Sequence, residues 1–422
     1  MSDQRPPRVI VLDGDYDNAI QVATELSEDL DATIVGIGSA GNSRLLRSKY
    51  CDIGVTADPE ADGYGEELLE IIWSHEPDVV LPVGYQSVVT LDGLRDRLPG
   101  SIRCCLPPTE PLSTAVDKRA TLSLADDCGI DTPDDYTTQV TTLDEQGRPG
   151  SIDQLPFPVF LKARHECGET MTAKVDEPAA FWSTYEDLAE EATDDILVQE
   201  FIDDPRTFGC GVLYCDGDLK MLFEHEELRS VPRAGGSGTR VRIYRHPALE
   251  AATIALLDGL DWNGPALVEF KRRPDGSFVL MEVNPKLWAS YALASQSGYR
   301  FVSSIVSELL DLPWEPSTCQ PAQVGEMVFP LRELYFSYSH ESESLLRSIV
   351  AMAYPPARID LNFRDPISWF TPPSGDAEAD AEPPVRGSDA DTRSAQGGSE
   401  ENLTVDADDP DIDRETVANG DR

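Results

Sequence analysis

At 422 residues, with 40% of them apolar, the chain is long enough for two to four compact units and a sizeable core. Its 77 acidic against 34 basic residues give a formal net charge of −43, and only seven of the basic residues are lysine. Such a field repels nucleic acid and anionic membrane and excludes both as partners. The start, MSDQRPPRVIVLDGD, lacks an apolar signal core, and no run of about 18 apolar residues exists to span a bilayer. The expectation is a cytoplasmic protein adapted to high salt, where counterions screen the self-repulsion of its acids. Eight scattered cysteines without a CxxC pair, and five histidines far apart, fit free thiols rather than a zinc site or a disulfide frame.

Between residues 8 and 111 apolar runs alternate with amphipathic segments. Arg8–Leu12 reads as a buried strand, Tyr16–Leu30 as a helix with Ile20, Ala23 and Leu26 on one side, and Ala32–Gly36 as a second strand. Glu66–His75 (helix) and Asp78–Val83 (strand) continue the alternation, which predicts an open parallel sheet. Gly36-Ile37-Gly38-Ser39-Ala40-Gly41 matches a dinucleotide fingerprint, but it follows the second strand rather than the first, so a flexible loop is the better reading.

Pro107–Pro111 breaks the pattern, and a helix is expected from Ser113, as N-cap, to Cys128. Phe157–Ala163, Ile196–Glu200 and Gly209–Leu213 are strand-like, and Ala248–Leu260 and Arg300–Leu310 are helical. Pro265–Lys271 and Ser277–Asn284 form a hairpin through Pro274-Asp275-Gly276. A helix near Glu341–Met352 is expected in the less legible stretch 313–371. Residues 372–422 carry fifteen acidic and four basic residues among Gly, Ser, Pro and Ala, a composition expected to be disordered.

The hairpin carries the chemistry. Side chains alternate along a strand, so Glu282 and Asn284 share a face. With Arg273 paired to Phe278, Glu269 falls opposite Glu282. Like charges in that position repel unless a cation joins them, and hard oxygen donors suit Mg²⁺. Val268, Phe270, Val279, Met281 and Val283 make the other face apolar, so the hairpin is packed on one side rather than solvated on both. Asp117-Lys118-Arg119 opens a helix, and Lys162 stands on a strand inside the apolar run FPVFLKAR, costly without an anionic partner.

These pieces, in this order, resemble the ATP-grasp superfamily, and most the branch similar to the large chain of carbamoyl-phosphate synthase, which includes many carboxylate–amine ligases. The segments are DKRATLSLADDCGIDTP (117–133), FPVFLKAR (157–164), ILVQEFI (196–202), AGGSGT (234–239) and GPALVEFK with VLMEVNPKLWAS. The resemblance implies an N-terminal pre-ATP-grasp sheet (8–111), a two-subdomain ATP-grasp fold (112–312) hinged near 199–204, an extension (313–371) and the acidic tail (372–422). It implies that Lys118 and Lys162 contact ATP phosphates. Gln199, Glu200, Phe201 and Ile202 would be the hinge, with Glu200 and the Ile202 backbone at the adenine and Asp203 or Asp204 at the ribose. The loop Gly235, Gly236, Ser237, Gly238 would close over the phosphates. Glu269, Glu282 and Asn284 would hold Mg²⁺, for which Mn²⁺ is a substitute.

The position after Asn-Pro is usually arginine in such ligases and is Lys286 here, a point charge in place of a planar fork. Arg240 and Arg242 are candidates to supply that fork, or else solvated surface charge. The reaction implied is ATP-dependent joining of a small-molecule carboxylate to an amine or thiol through an acyl phosphate, in a protein of a superfamily where homodimers are common. The rivals are an ATP-binding regulator without turnover, favoured by Lys286, carbamoyl-phosphate-type or bicarbonate chemistry, and a dinucleotide oxidoreductase through GIGSAG.

Overall fold

The structure is a computed structural model that describes residues 5–142, 150–165, 171–192, 195–231, 237–314, 325–339 and 358–369. The expected helix near 341–352 and the tail 372–422 lie outside the described residues. The described strands form three sheets.

The first is a five-stranded parallel sheet of β1 (Arg8–Val11), β2 (Thr33–Gly38), β3 (Ile53–Thr56), β4 (Val79–Leu81) and β5 (Arg103–Cys104), in the order β3-β2-β1-β4-β5. Its central strands are apolar at consecutive positions because both faces are covered. Val9, Val11, Ile34 and Leu81 pack on one side with the helix Asp17–Leu30, and Ile10, Leu12, Val35 and Val80 on the other with the helices Tyr64–His75 and Tyr85–Gly93. Gly36 and Gly38 of the dinucleotide-like match are inside β2 itself, under Cys51 and Ser43, rather than in a loop after it.

The expected helix from Ser113 to Cys128 is two helices, Thr109–Val116 and Lys118–Asp127. Ser113 is not a cap: its hydroxyl donates to the Glu110 carbonyl at 2.8 Å. The chain leaves helical geometry at Asp117, whose carboxylate accepts from the backbone N–H groups of Arg119 and Ala120. The second sheet, β6 (Val159–Ala163), β7 (Thr172–Val175) and β8 (Ile196–Glu200), is antiparallel in the order β7-β6-β8 and packs on the helix Pro178–Glu191.

The third sheet has seven strands: β9 (Thr207–Cys215), β10 (Asp218–Val231), β11 (Ser237–Ile243), β12 (Gly264–Arg272), β13 (Phe278–Asn284), β14 (Glu326–Val328) and β15 (Arg358–Ile359). Their order is β13-β12-β9-β10-β11-β14-β15. One face packs Phe208, Val212, Val268, Phe270, Leu280 and Val283 against the helices Lys118–Asp127 and Pro247–Gly259. The other face, with Leu213, Phe223, Val241, Leu267 and Met327, shares one core with the parallel sheet through Tyr291–Gln296 and Phe301–Leu310.

Candidate active site

The β12–β13 hairpin differs from its expected register at two places that cancel. Arg272, not Arg273, pairs with Phe278, because the Arg273 N–H reaches the Ser277 carbonyl (2.9 Å) and closes a tighter turn over Pro274-Asp275-Gly276. A bulge then leaves Met281 unpaired between the Phe270–Leu280 and Glu269–Glu282 pairs. Glu269 therefore still lies opposite Glu282. The bulge also corrects the apolar face, which takes Leu280 beside Phe270 and Val283 while Met281 leaves it. The freed Met281 carbonyl accepts a hydrogen bond from Lys162 Nζ at 3.3 Å, so the bulge aims this edge strand at β6.

On the site face Asn284 Nδ2 donates to Glu269 Oε2 (2.8 Å) and Glu282 Oε1 (3.0 Å), joining the amide and both carboxylates. Burial pushes the Glu282 carboxyl up. The Lys118 ammonium, hydrogen bonding with Glu269, the Lys162 ammonium and Asn284 together outweigh it, and its pKa is held below the usual carboxylate value. Lys162 is only 4% exposed. Burial, then the nearby Lys118 charge, brings its pKa down to about 8, against the opposing pull of Glu282 and Asp135. Lys118, Lys162, Glu269, Glu282 and Asn284 thus form one cluster in which cations and carboxylates offset each other's burial.

Lys118 is placed by its neighbour. Arg164 holds Asp117 with two hydrogen bonds (Nε–Oδ1 2.9 Å, Nη2–Oδ2 2.6 Å), and the Lys118 N–H donates to the Arg164 carbonyl (3.1 Å). Burial raises the Asp117 carboxyl, but the Arg164 hydrogen bonds and helix N–H groups leave it below its ordinary value. Arg164 stands two residues beyond Lys162, so this clamp fixes both lysines. The sequence reading missed it; the only local signal was an acid at a helix start.

Around the expected hinge, Gln199 is buried at 1% exposure and its Oε1 meets no hydrogen-bond donor among the described residues. Glu200 is held by Arg273 of the hairpin loop (Nη2–Oε2 2.6 Å), an ion pair that lowers its pKa and ties β8 to the β12–β13 hairpin. The Phe201 ring lies under Lys174 Nζ at 4.6 Å. The Ile202 carbonyl accepts from the Asp204 N–H (2.9 Å). Asp204 is buried and paired with Arg206 (3.1 Å), whereas Asp203 is exposed.

Gly235 and Gly236, and the Ser237 side chain, lie outside the described residues; Gly238 follows Ser237, the first residue of β11. Arg240 and Arg242 do not supply a fork. Val241 between them packs in the core shared with Leu267, so strand alternation turns both arginines to the opposite face. There Arg240 pairs with Glu326 and Arg242 with Glu226. Lys286 is half-buried in the turn after Asn284.

That turn is anchored by His225 and two glycines. A Cβ at Gly211 would lie 2.2 Å from the Trp288 ring, and one at Gly209 would lie 2.4 Å from the His225 ring, so only glycine lets both rings rest on β9. His225 Nε2 meets Ser290 Oγ at 3.2 Å, and burial brings its pKa down to about 4, so the imidazole is neutral. Asn18 Nδ2 donates to the carbonyls of Leu287 (3.2 Å) and Trp288 (3.4 Å), joining the turn to the helix Asp17–Leu30.

The chain has the ATP-grasp fold: a parallel N-terminal sheet followed by a three-stranded antiparallel sheet and a seven-stranded sheet that is antiparallel except at β14–β15, with the lysine–carboxylate cluster between these two. Three solved structures illustrate it. Biotin carboxylase from Campylobacter jejuni, described as a β,γ-ATP complex, superposes with a TM-score of 0.61 at 15% identity, covering 75% of this chain and 74% of that one. The biotin carboxylase domain of Hydrogenobacter thermophilus 2-oxoglutarate carboxylase, with MgADP, ADP and bicarbonate, gives 0.59 at 14% identity over 73% and 70%. L-amino acid ligase from Bacillus licheniformis gives 0.56 at 15% identity over 76% and 79%. No protein-family model matches the sequence, and no curated protein matches it. No helix among the described residues is long and apolar enough to cross a membrane.

Proposed function

We propose that this chain is an ATP-dependent ligase that joins a small-molecule carboxylate to an amine, or to a thiol, through an acyl phosphate. One observation carries the reading: Lys118 and Lys162 stand with Glu269, Glu282 and Asn284 on one sheet face whose reverse is packed apolar core. The general reaction agrees with the neighbours of the same fold, which include ATP, MgADP and amino-acid ligase structures. On this reading residues 8–111 and 313–371 frame the substrate end of the site, and 112–312, hinged near 199–204, bind the nucleotide.

Glu269, Glu282 and Asn284 fit a divalent cation. Two carboxylates supply the charge, and turning the Asn284 amide by half a rotation would exchange the Nδ2 they now share for Oδ1. Mg²⁺, or Mn²⁺, would there neutralise phosphate charge. Lys118 and Lys162 orient the phosphates and offset the negative charge that builds up during phosphoryl transfer. A carboxylate oxygen attacks the γ-phosphorus as the bond to ADP breaks. The amine nitrogen then attacks the acyl carbon, phosphate leaves, and the nitrogen gives up a proton. Lys286 is the cation next to Asn284 for the carboxylate or the released phosphate.

ADP formation in molar KCl with Mg²⁺ and pooled carboxylates and amines tests the proposal. The wild type should release ADP with at least one pair, and Glu282→Gln should lose roughly 1,000-fold in rate while keeping its circular dichroism. An unchanged rate in that variant overturns the cation assignment. Nucleotide binding without ADP from any pair would favour a regulator without turnover.

A further inference from the structure

One exposed face of the chain runs against its overall charge. Residues 41–51 hold Arg44, Arg47 and Lys49 and no acid, although the whole sequence has 77 acids against 34 bases. Arg44 is used inside the fold, where it pairs with Asp17, which Arg332 Nη2 also approaches at 3.5 Å. Arg47 and Lys49 are exposed, and neither has an ion-pair partner among the described residues. Lys49 Nζ lies instead over the ring of its neighbour Tyr50, at 4.7 Å.

The segment 358–369 lies directly against this stretch. Buried Asp365 accepts from Ser48 Oγ (2.5 Å), from the Lys49 N–H (3.2 Å) and from Ser368 Oγ (3.0 Å), so its carboxylate is engaged inside the fold. Asn362 Nδ2 reaches the Tyr50 hydroxyl at 3.5 Å. These contacts bring Phe363 (81% exposed), Arg364 and Ile367 (59% exposed) to the same surface as Arg47 and Lys49. Arg364 is exposed and likewise has no ion-pair partner among the described residues.

Three exposed bases interleaved with two exposed apolar side chains make a docking face for an acidic, partly apolar polypeptide. Exposed ion pairs contribute little singly and salt screens them, so a free acidic partner holds such a face poorly. A tether removes that weakness by raising the local concentration to the millimolar range. The sequence supplies a tethered candidate. Asp376-Ala377-Glu378-Ala379-Asp380-Ala381-Glu382 starts seven residues beyond Trp369, the last residue of the helix Pro366–Trp369, and lies outside the described residues. Seven residues reach about 24 Å when extended. Trp369 is only four residues from Asp365, which touches Ser48 and Lys49, so the run is long enough to meet all three bases. Its acids recur at every second position, the spacing that lets an extended chain present them to one side. Pro383-Pro384-Val385 follow and supply apolar surface for Phe363 and Ile367.

We propose that residues 376–385 dock on the face formed by Arg47, Lys49, Phe363, Arg364 and Ile367 of the same chain, as an intramolecular cover for this patch. The inference is independent of the ligase reading.

Carbodiimide coupling on the full chain tests it, because the reagent joins an ammonium to a carboxylate in contact as an amide. In an equal mixture of unlabelled and isotopically labelled protein, Lys49 should be linked to an acid of 376–382 in its own chain, located by fragmentation in the mass spectrometer. Lys220, exposed and paired with Asp218 (3.8 Å), should not be linked to that run. A Lys49 link only between differently labelled chains would assign the face to a second copy, and no link to the run would leave it to a foreign acidic partner; either result overturns the proposal. A second readout does not depend on the coupling. Trypsin cuts after Arg47, Lys49 and Arg364, and a docked run shields these bonds. Changing Asp376→Asn, Glu378→Gln, Asp380→Asn and Glu382→Gln together should speed cleavage at these positions roughly 5-fold and leave cleavage after Lys220 unchanged. Equal rates in the two proteins overturn the cover.

Discussion

At the β9–β12–β13 end of the seven-stranded sheet the two faces are built from alternate residues of the same strands, yet one is apolar core and the other carries the candidate site. Phe208, Val268, Phe270, Leu280 and Val283 close one face against helices, and their association needs only shape and apolar area. Glu269, Glu282, Asn284, Gly209 and Gly211 occupy the other, where carboxylates can be buried only because Lys118 and Lys162 arrive from a different sheet and helix. Stability on the first face comes from apolar packing against the helices Lys118–Asp127 and Pro247–Gly259 and needs no particular charge partner. On the second it depends on partners far away in sequence, such as Lys162 and Met281, which are 119 residues apart.

That contrast can be broken in three ways. Leu280→Ala should cost about 3 kcal/mol of stability by denaturant titration, because it opens a cavity in a packed face. Its ADP formation per folded molecule should stay within about twofold of wild type; a larger loss would mean that the faces are not independent. Deleting Met281 removes the bulge while leaving Glu269 opposite Glu282 and Leu280 beside Phe270. The fold should survive, but loss of the carbonyl that holds Lys162 should weaken ATP affinity roughly 10-fold by calorimetry. Unchanged affinity would show that the bulge does not position the lysine. The smallest effect concerns pH. Lys162 has its pKa lowered to about 8, so it is charged below that pH and neutral above it. Affinity for an ATP analogue should fall a few-fold as pH rises through about 8, and the fall should disappear in Lys162→Arg. Because the folded pKa lies below the unfolded value of 10.5, stability without nucleotide should move the other way, rising with pH from about 8 to 10.5.

Much of the framework was legible. The parallel sheet announces itself because strands covered on both faces are apolar at consecutive positions, and the hairpin does so through its turn residues and alternation. The opposition of Glu269 and Glu282 was reached by a register that is wrong near the turn and is restored by the bulge. No local pattern marks Met281 as the extra residue, because what favours it is Lys162 on another sheet. The break at Asp117 was hidden for the same reason: Arg164 holds that acid from 47 residues away. Arg240 and Arg242 looked like candidates by proximity to the glycine loop, but their faces follow from Val241 packing and their partners Glu226 and Glu326 from strands β10 and β14. The strand Asp218–Val231 was not foreseen, since Glu224, Glu226 and Glu227 interrupt its apolar pattern and are tolerated only beside arginines and burial partners.

The amino-acid order alone determined most of the strands and helices, and which side chains share a face wherever no bulge intervenes, because those depend on periodicities of two and 3.6 residues. It also determined that acids and an amide would gather on one hairpin. Tertiary structure decided which cation meets which anion: Lys118 and Lys162 at Glu282, Arg164 at Asp117, Arg273 at Glu200, and Arg44 with Arg332 at Asp17. Charge pairing acts through space at a few ångströms and leaves no spacing in the chain by which to read it.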